Sequence, residues 1–569
     1  MERIPQTVTE KCGTENHYPV KRLDRLQLAS SICFLQSFSQ SWRSLLQIQG
    51  QSKSKLLLLG LPTMISTCLV FWNIQNLGLS VWDEYYYTEG AKWFLGVQGG
   101  WFQIYEPPGF PLVISLFWRF FGLHDYVAIA ASGIFAILTV ALMTYMGVKI
   151  FGFAVGIVAP LLLSAMPLFL YYARFAMTDI PFTFFFSAAV LSSYLALKSG
   201  RRRDILFAGI LIAVCTGIKY DGFMALLVPA LYVVPLTLSK GTPRERVNVF
   251  VGNAKALLIM AVPVAVGFLA WFYVLGLPTG VSRHFFSRQI IHLLSPRILL
   301  AGFLKFRAIV LTSHSRQLGL SPFSGGLFYI QVLATWASIP VLIFAVVGLM
   351  RRNIRDDPEL FASFWLVILF LAFSCIPGNF QRAMVPVLPP LALVSAIGIR
   401  KIVDMVRGNR WPLSSSMNFD RLLHLSIVFL ILALAASPTF QAVSDNHSGY
   451  RQAGMILNAV TNGSTVYALS KPVIDFYHPV VLNLSAPINS TNLPPQGYLV
   501  VDYTAFLRGY LSESEIQTLV IQGRLRPVAS IPAGTPQVAY LDDVSFSQVQ
   551  QMNSTYTSIM IYQITNDTS

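Results

Sequence analysis

Hydrophobic positions in this 569-residue chain gather into long unbroken runs rather than alternating with polar ones. Stretches such as 56–74, 126–147, 180–197, 256–277 and 326–350 are long enough to cross the hydrocarbon core of a bilayer. Twelve apolar runs are found in all. The run 109–121 is the weakest span: it has thirteen residues, contains Arg119 and follows Pro107-Pro108. Runs that short lie at the membrane interface more often than they cross it. Removing it leaves eleven spans, at 56–74, 126–147, 152–173, 180–197, 205–218, 223–237, 256–277, 326–350, 360–376, 383–399 and 422–436. The pattern predicts an α-helical polytopic membrane protein with about 11 spans.

Composition agrees, with 54% hydrophobic and 12% charged residues. The formal charge of +15 is not a nucleic-acid signature, because the basic residues sit in short clusters between spans. These are Lys53/Lys55, Arg201/Arg202/Arg203, Lys240/Arg244/Arg246, Arg351/Arg352/Arg355 and Lys401/Arg407/Arg410, which mark a cytoplasmic face. All six N-glycosylation sequons, at Asn446, Asn462, Asn483, Asn489, Asn553 and Asn566, fall after residue 445. Such sites belong outside the cytoplasm. An inner N-terminus and an outer C-terminus require an odd number of crossings, which eleven satisfies. The expected domains are a basic cytoplasmic tail (1–55), a transmembrane catalytic domain (56–443) and an extracytoplasmic soluble α/β domain (444–569). In the last, helical stretches at 450–460 and 512–521 bracket strand-sized runs in "STVYAL", "PVIDFY", "VVLNL" and "GYLVVDY". Five scattered cysteines show no metal-ligand spacing.

This topology puts Asp83, Glu84, Glu106, Arg174, Asp179, Lys219, Asp221 and the loop 278–325 on the outer face. Several of these residues played no part in setting the topology. Ionisable residues at the membrane are costly unless they have a task. The plainer alternatives are solvated loop acids, snorkelling cations and local charge neutralisation.

The order of motifs is informative. Asp83-Glu84 comes first, then "YEPPGFPL" at 105–112, "YYARFAMTDIPFTFFF" at 171–186, "TGIKYDGFMALLVPAL" at 216–231 and "GNFQRAMVPVLPPLALV" at 378–394. The series resembles the GT-C class of membrane glycosyltransferases, and most the branch of protein O-mannosyltransferases and the aminoarabinose transferase of lipid A. The resemblance covers roughly 56–400. It implies a polyprenyl (dolichyl) phosphate-linked sugar donor, inverting transfer and no nucleotide-sugar site. By the same resemblance Asp83 matches the first-loop base, with Glu84 its neighbour. Arg174, Lys219 and Arg382 match basic residues for the donor phosphate, and Asp179 an acidic residue of the second outer loop. Glu106 fits more than one alignment. Arg283 and His284, in the long outer loop, suit phosphate or acceptor contacts, and a solvated amphipathic helix explains them almost as well. The Trp-Trp-Asp-x-Gly signature of the oligosaccharyltransferase branch is absent.

The expected function is transfer of a sugar, a hexose such as mannose, to a protein, glycan or lipid acceptor at the outer face. A carboxylate takes the acceptor's proton and fixed cations meet the charge growing on the phosphate. A divalent metal between Asp83 and Asp179 is left open, since hard carboxylates suit such an ion. The rival is a multi-span transporter or lipid flippase. Against it, the two halves show no internal repeat, and the charges gather on one face rather than at mid-membrane. An archaeal plasma membrane is the first expectation for location and the endoplasmic reticulum the second.

Overall fold

The computed structural model describes residues 53–102, 107–239, 241–276, 324–350, 357–374, 381–408 and, in shorter stretches, 426–565. Residues up to Leu58 form a separate unit, of which only the first turn or so of a helix is described. From Leu59 onward the chain forms a second unit.

The apolar runs become helices. The first, α1 (Lys53–Phe71), ends in a left-handed turn at Asn73. An irregular segment, 77–81, leads to α2 (Trp82–Leu95). Then come α3 (Gly109–Phe121), α4 (Asp125–Phe151) and the pair α5 (Phe153–Ser164) and α6 (Pro167–Ala173). The pair bends by 64° where Pro167 starts a new helix. Next are α7 (Asp179–Ser199), α8 (Arg202–Ile218), α9 (Leu227–Leu238) and α10 (Pro243–Gly276). The bundle ends with α11 (Ser324–Leu333), α12 (Ile339–Leu349), α13 (Asp357–Ser374) and α14 (Leu388–Gly408). Among the described residues seven helices are long and apolar enough to cross a membrane, or eight counting the bent pair. The run 422–436 lies largely outside the described residues.

The apolar helix α3 is shorter than a full span. Thirteen residues reach about 20 Å, against a hydrocarbon core of about 30 Å. Phe110, Ile114 and Trp118 repeat at four-residue spacing and are buried against the protein. Leu116, Phe120 and Phe121 remain exposed. The prolines before it stop any preceding helix, and Gly109 lets its first turn touch α8. A Cβ at Gly109 would lie 2.4 Å from the Gly217 carbonyl oxygen.

The C-terminal region carries a five-stranded sheet in the order β2-β1-β3-β5-β4. Its strands are β1 (Val466–Ala468), β2 (Val481–Asn483), β3 (Gly497–Val501), β4 (Leu525–Pro532) and β5 (Ser558–Ile564). β1 runs parallel to both neighbours, and β5 antiparallel to β3 and β4. Its helices are α15 (Tyr450–Val460), α16 (Lys471–Tyr477) and α17 (Glu513–Ile521). The segment "PVIDFY", read as strand-sized, is instead the body of α16. Pro472 suits a first helical turn and would remove a donor from a central strand. One cluster of buried apolar side chains runs without a break from the membrane helices into Tyr450, Leu457, Val473 and Ile561.

Candidate functional site

Asp83 and Glu84 are consecutive in α2 yet meet opposite surroundings. Glu84 is fully buried. One of its oxygens accepts from the Ser80 and Val81 amides at 2.5 and 3.0 Å, the other from the Ala176 amide at 2.7 Å. As the third residue of α2 it satisfies amides at the helix start, half of a capping box whose other half a Val at the cap cannot supply. It also pins α2 to the loop before α7. Burial pushes its carboxyl up to about 7, opposed by the three amides, which favour the charged form. Glu84→Gln turns an amide donor toward at least one backbone donor. The expected cost is about 1.5–3 kcal/mol of stability, seen as a lower thermal midpoint; an unchanged midpoint overturns the pinning role.

Asp83, a hundred degrees round the same helix, is partly exposed and forms an ion pair with Arg382. Arg382 stands in the short 3₁₀ segment, Gln381–Val387, that precedes α14. A second pair lies nearby. Lys219 donates to Asp179 at 3.0 Å, and Asp179, the first residue of α7, is only 1% exposed. The negative charge suits that helix N-terminus. Burial works against the charge of Lys219, but Asp179 and Asp221 outweigh burial and the repulsion of Arg382 and leave the ammonium raised above its ordinary value. That repulsion also shows that the two pairs lie within electrostatic reach of each other. Lys219 is held at a corner: it caps α8 in extended conformation, and the Gly222 amide bonds back to its carbonyl at 2.8 Å. The motif "GIKYDG" is thus the reversal between two helices. The Tyr87 and Thr178 hydroxyls, 3.2 Å apart, tie α2 to the start of α7.

Arg174 sits elsewhere. It is 1% exposed, and its guanidinium donates to the carbonyls of Leu69, Val70 and Trp72 at 2.7–3.1 Å and of Val443 at 3.1 Å. The first three carbonyls are orphan acceptors at the end of α1, where a cation is favoured. Both terminal nitrogens therefore donate to backbone, while the buried Nε has no hydrogen-bond partner among the described residues. Arg174→Gln should lower yield and thermal midpoint while leaving the KM for a lipid-phosphate donor unchanged. A raised KM with normal stability would return Arg174 to the phosphate site.

Glu106, Arg283 and His284 lie outside the described residues. Among the described residues no group of three or more His, Cys, Asp or Glu is placed to hold a metal ion. Asp83 and Asp179, the two carboxylates suited to one, each already face a cation of the chain. Reading the sequence missed Asp125, which is buried at the start of α4 and joined to Arg451 and Tyr477. An acid opening an apolar run was its only local signal.

Residues 105–271 match the family described as dolichyl-phosphate-mannose-protein mannosyltransferase. The undecaprenyl phosphate-α-4-amino-4-deoxy-L-arabinose arabinosyl transferase of Pseudomonas aeruginosa (strain UCBPP-PA14) is 24% identical over 387 residues, covering 64% of this chain and 62% of that one. Its namesake from Photorhabdus laumondii is 24% identical over 261 residues, covering 43% and 40%. The chain thus spans less than two thirds of the length of these relatives. Among solved structures, ArnT from Cupriavidus metallidurans bound to undecaprenyl phosphate superposes with a TM-score of 0.53 at 14% identity, covering 90% of this chain and 98% of that one. The apo oligosaccharyltransferase of Archaeoglobus fulgidus gives 0.53 at 14% identity, covering 82% and 71%. This chain has the fold of the GT-C membrane glycosyltransferases. Within that class its resemblance is to the branch of protein O-mannosyltransferases and aminoarabinose transferases.

Proposed function

We propose that this chain transfers a single sugar from a polyprenyl-phosphate donor to an acceptor hydroxyl or amine at the outer face of a membrane. The observation that carries this reading is the presence of two ion pairs within electrostatic reach of each other, Asp83–Arg382 and Asp179–Lys219. A lipid phosphate arriving at the bilayer surface competes with Asp83 for the Arg382 guanidinium. Once released, Asp83 is an accessible carboxylate that takes the acceptor's proton. The acceptor atom forms a bond to the anomeric carbon from the face opposite the phosphate. The carbon–oxygen bond to phosphate breaks, and its electron pair leaves with the polyprenyl phosphate. Arg382 and Lys219 meet that growing charge. Glu84 and Arg174 take part as positioning residues, one holding α2 and the other the end of α1.

The sugar we favour is a hexose such as mannose, as in the matched family's description; the relatives' names give aminoarabinose on undecaprenyl phosphate. Eleven spans, with the C-terminal region outside a plasma membrane, fit the basic clusters and sequons. The test is incubation of purified protein with polyprenyl-phosphate mannose, glucose and aminoarabinose, following sugar release or transfer. Turnover of one donor is expected. Inactivity on every donor, alongside movement of labelled lipid across proteoliposomes, would establish the rival flippase reading.

A further inference from the structure

The segment 77–81 connects α1 to the helix that bears Asp83, and it has no helix or strand of its own to satisfy its backbone. Its residues are nonetheless buried, Leu79 completely. Buried backbone groups need partners, and here two sources supply them. Glu84 takes the Ser80 and Val81 amides. The C-terminal region takes two others: the Ser448 amide donates to the Leu77 carbonyl at 3.0 Å, and the Leu79 amide donates to the Tyr477 hydroxyl at 2.7 Å.

The contact is buttressed by a buried acid. The Tyr477 hydroxyl donates in turn to Asp125 at 2.6 Å. The other Asp125 oxygen accepts from Arg451 at 3.0 Å and from the Tyr126 amide at 2.8 Å. Arg451 also donates to the Gln75 carbonyl. Asp125 is 3% exposed, so its charge is held by a guanidinium, a phenol and its own helix N-terminus. Gly78 fits the same arrangement: its φ is +71°, and a Cβ there would lie 2.8 Å from the Ser448 Oγ. Two further contacts reach α2 itself. The Tyr85 hydroxyl donates to Asp475 at 2.7 Å, and Lys92, paired with Glu89 at 2.6 Å, lies 4.7 Å from the centre of the Phe476 ring. Asp475, Phe476 and Tyr477, three consecutive residues ending α16, therefore each hold a different part of the Asp83-bearing segment.

We propose that the C-terminal region, through Tyr477 and its bridge from the Leu79 amide to Asp125, is a positioning element for the acidic rim rather than an accessory module. It fixes where α2 starts, and so where Asp83 stands relative to Arg382. Tyr477 acts through α2 and touches neither donor nor acceptor. Displacing a base by a fraction of an ångström costs rate rather than binding, so the effect belongs in kcat. The proposal rests on the transferase reading for its kinetic arm only.

The test uses the full-length protein with Tyr477→Phe, which deletes the bridging hydroxyl and keeps the ring. With the donor that the wild type uses, kcat should fall about tenfold or more while the donor KM stays within about twofold. Hydrogen exchange at the backbone amides of residues 77–95 should accelerate, with α17, whose Ile516 and Leu519 pack in a separate apolar cluster, unaffected. Tyr85→Phe, which removes the hydroxyl's link to Asp475 and leaves the Tyr477 bridge in place, should lower kcat less and accelerate exchange in α2 alone. Unchanged kcat and KM beside a lower thermal midpoint would reduce Tyr477 to a purely structural contact and overturn the proposal. Should the wild type use no polyprenyl-phosphate sugar, the transferase reading fails and exchange alone decides. Faster exchange at 77–95 then supports the positioning role, and unchanged exchange overturns it. If Tyr477→Phe does not fold, Tyr85→Phe carries the same decision through exchange in α2.

Discussion

Asp83→Asn is expected to lower sugar transfer roughly 100-fold or more while the protein folds as well as the wild type. The rate loss is the usual scale for removing a general base. The stability expectation comes from exposure. The Asp83 and Arg382 side chains are 30% and 23% accessible, so their ion pair is well hydrated. Pairs of that kind contribute about 0–1 kcal/mol, and Asn keeps both the size and an acceptor oxygen for Arg382. Initial rates and thermal midpoint should be read on one preparation. Wild-type turnover in Asp83→Asn would remove this residue from the chemistry. The neighbouring change, Glu84→Gln, should behave in the opposite sense, losing stability first. Two adjacent acids that cannot be told apart as letters are thereby separated by which quantity moves.

That contrast shows what can be read from the chain. Lys219 and Arg382 stand out because each lies at the end of an apolar run, where a charge is costly without a task, and the structure gives each an acidic partner. Arg174 carries the same signature, yet it serves the end of α1, and the carbonyls it satisfies lie about a hundred positions earlier. No local pattern distinguishes a cation paired with an acid at a helix end from one committed to the carbonyls of a helix terminus. That α3 is shorter than a full span was legible from the length of its apolar run and from its prolines. The bridge between Tyr477 and Asp125 was not, because its partners are 352 residues apart and meet only when the C-terminal region docks. Glu84 did leave a trace: an acid at the third position of a helix is a start signal, here overshadowed by the acid beside it. β4 escaped notice because Pro527 interrupts it, Pro532 ends it and most of its residues are exposed, so it shows no run of apolar positions.

The largest stability effect should come from Lys219→Gln. Asp179 is 1% exposed, one of its oxygens is bonded to Lys219, and the other has no hydrogen-bond partner among the described residues. Removing the ammonium strands a buried carboxylate whose remaining support is the N-terminus of α7. Breaking a buried pair from one side costs about 3–5 kcal/mol. Asp179→Asn should cost less, because Lys219 is 27% exposed and keeps Asp221 as a neighbouring acid. The double variant, Asp179→Asn with Lys219→Gln, removes both charges together and should regain most of the lost stability. Activity per folded molecule then discriminates between two roles for Lys219. If the ammonium meets the donor phosphate, the double variant is stable and still slow, with turnover reduced at saturating donor because the phosphate's charge grows in the transition state. If Lys219 serves only to neutralise Asp179, stability and turnover return together. Thermal midpoint and kcat for the wild type, both single variants and the double variant complete the cycle. Full turnover in the stable double variant would leave Arg382 as the cation answering the leaving phosphate.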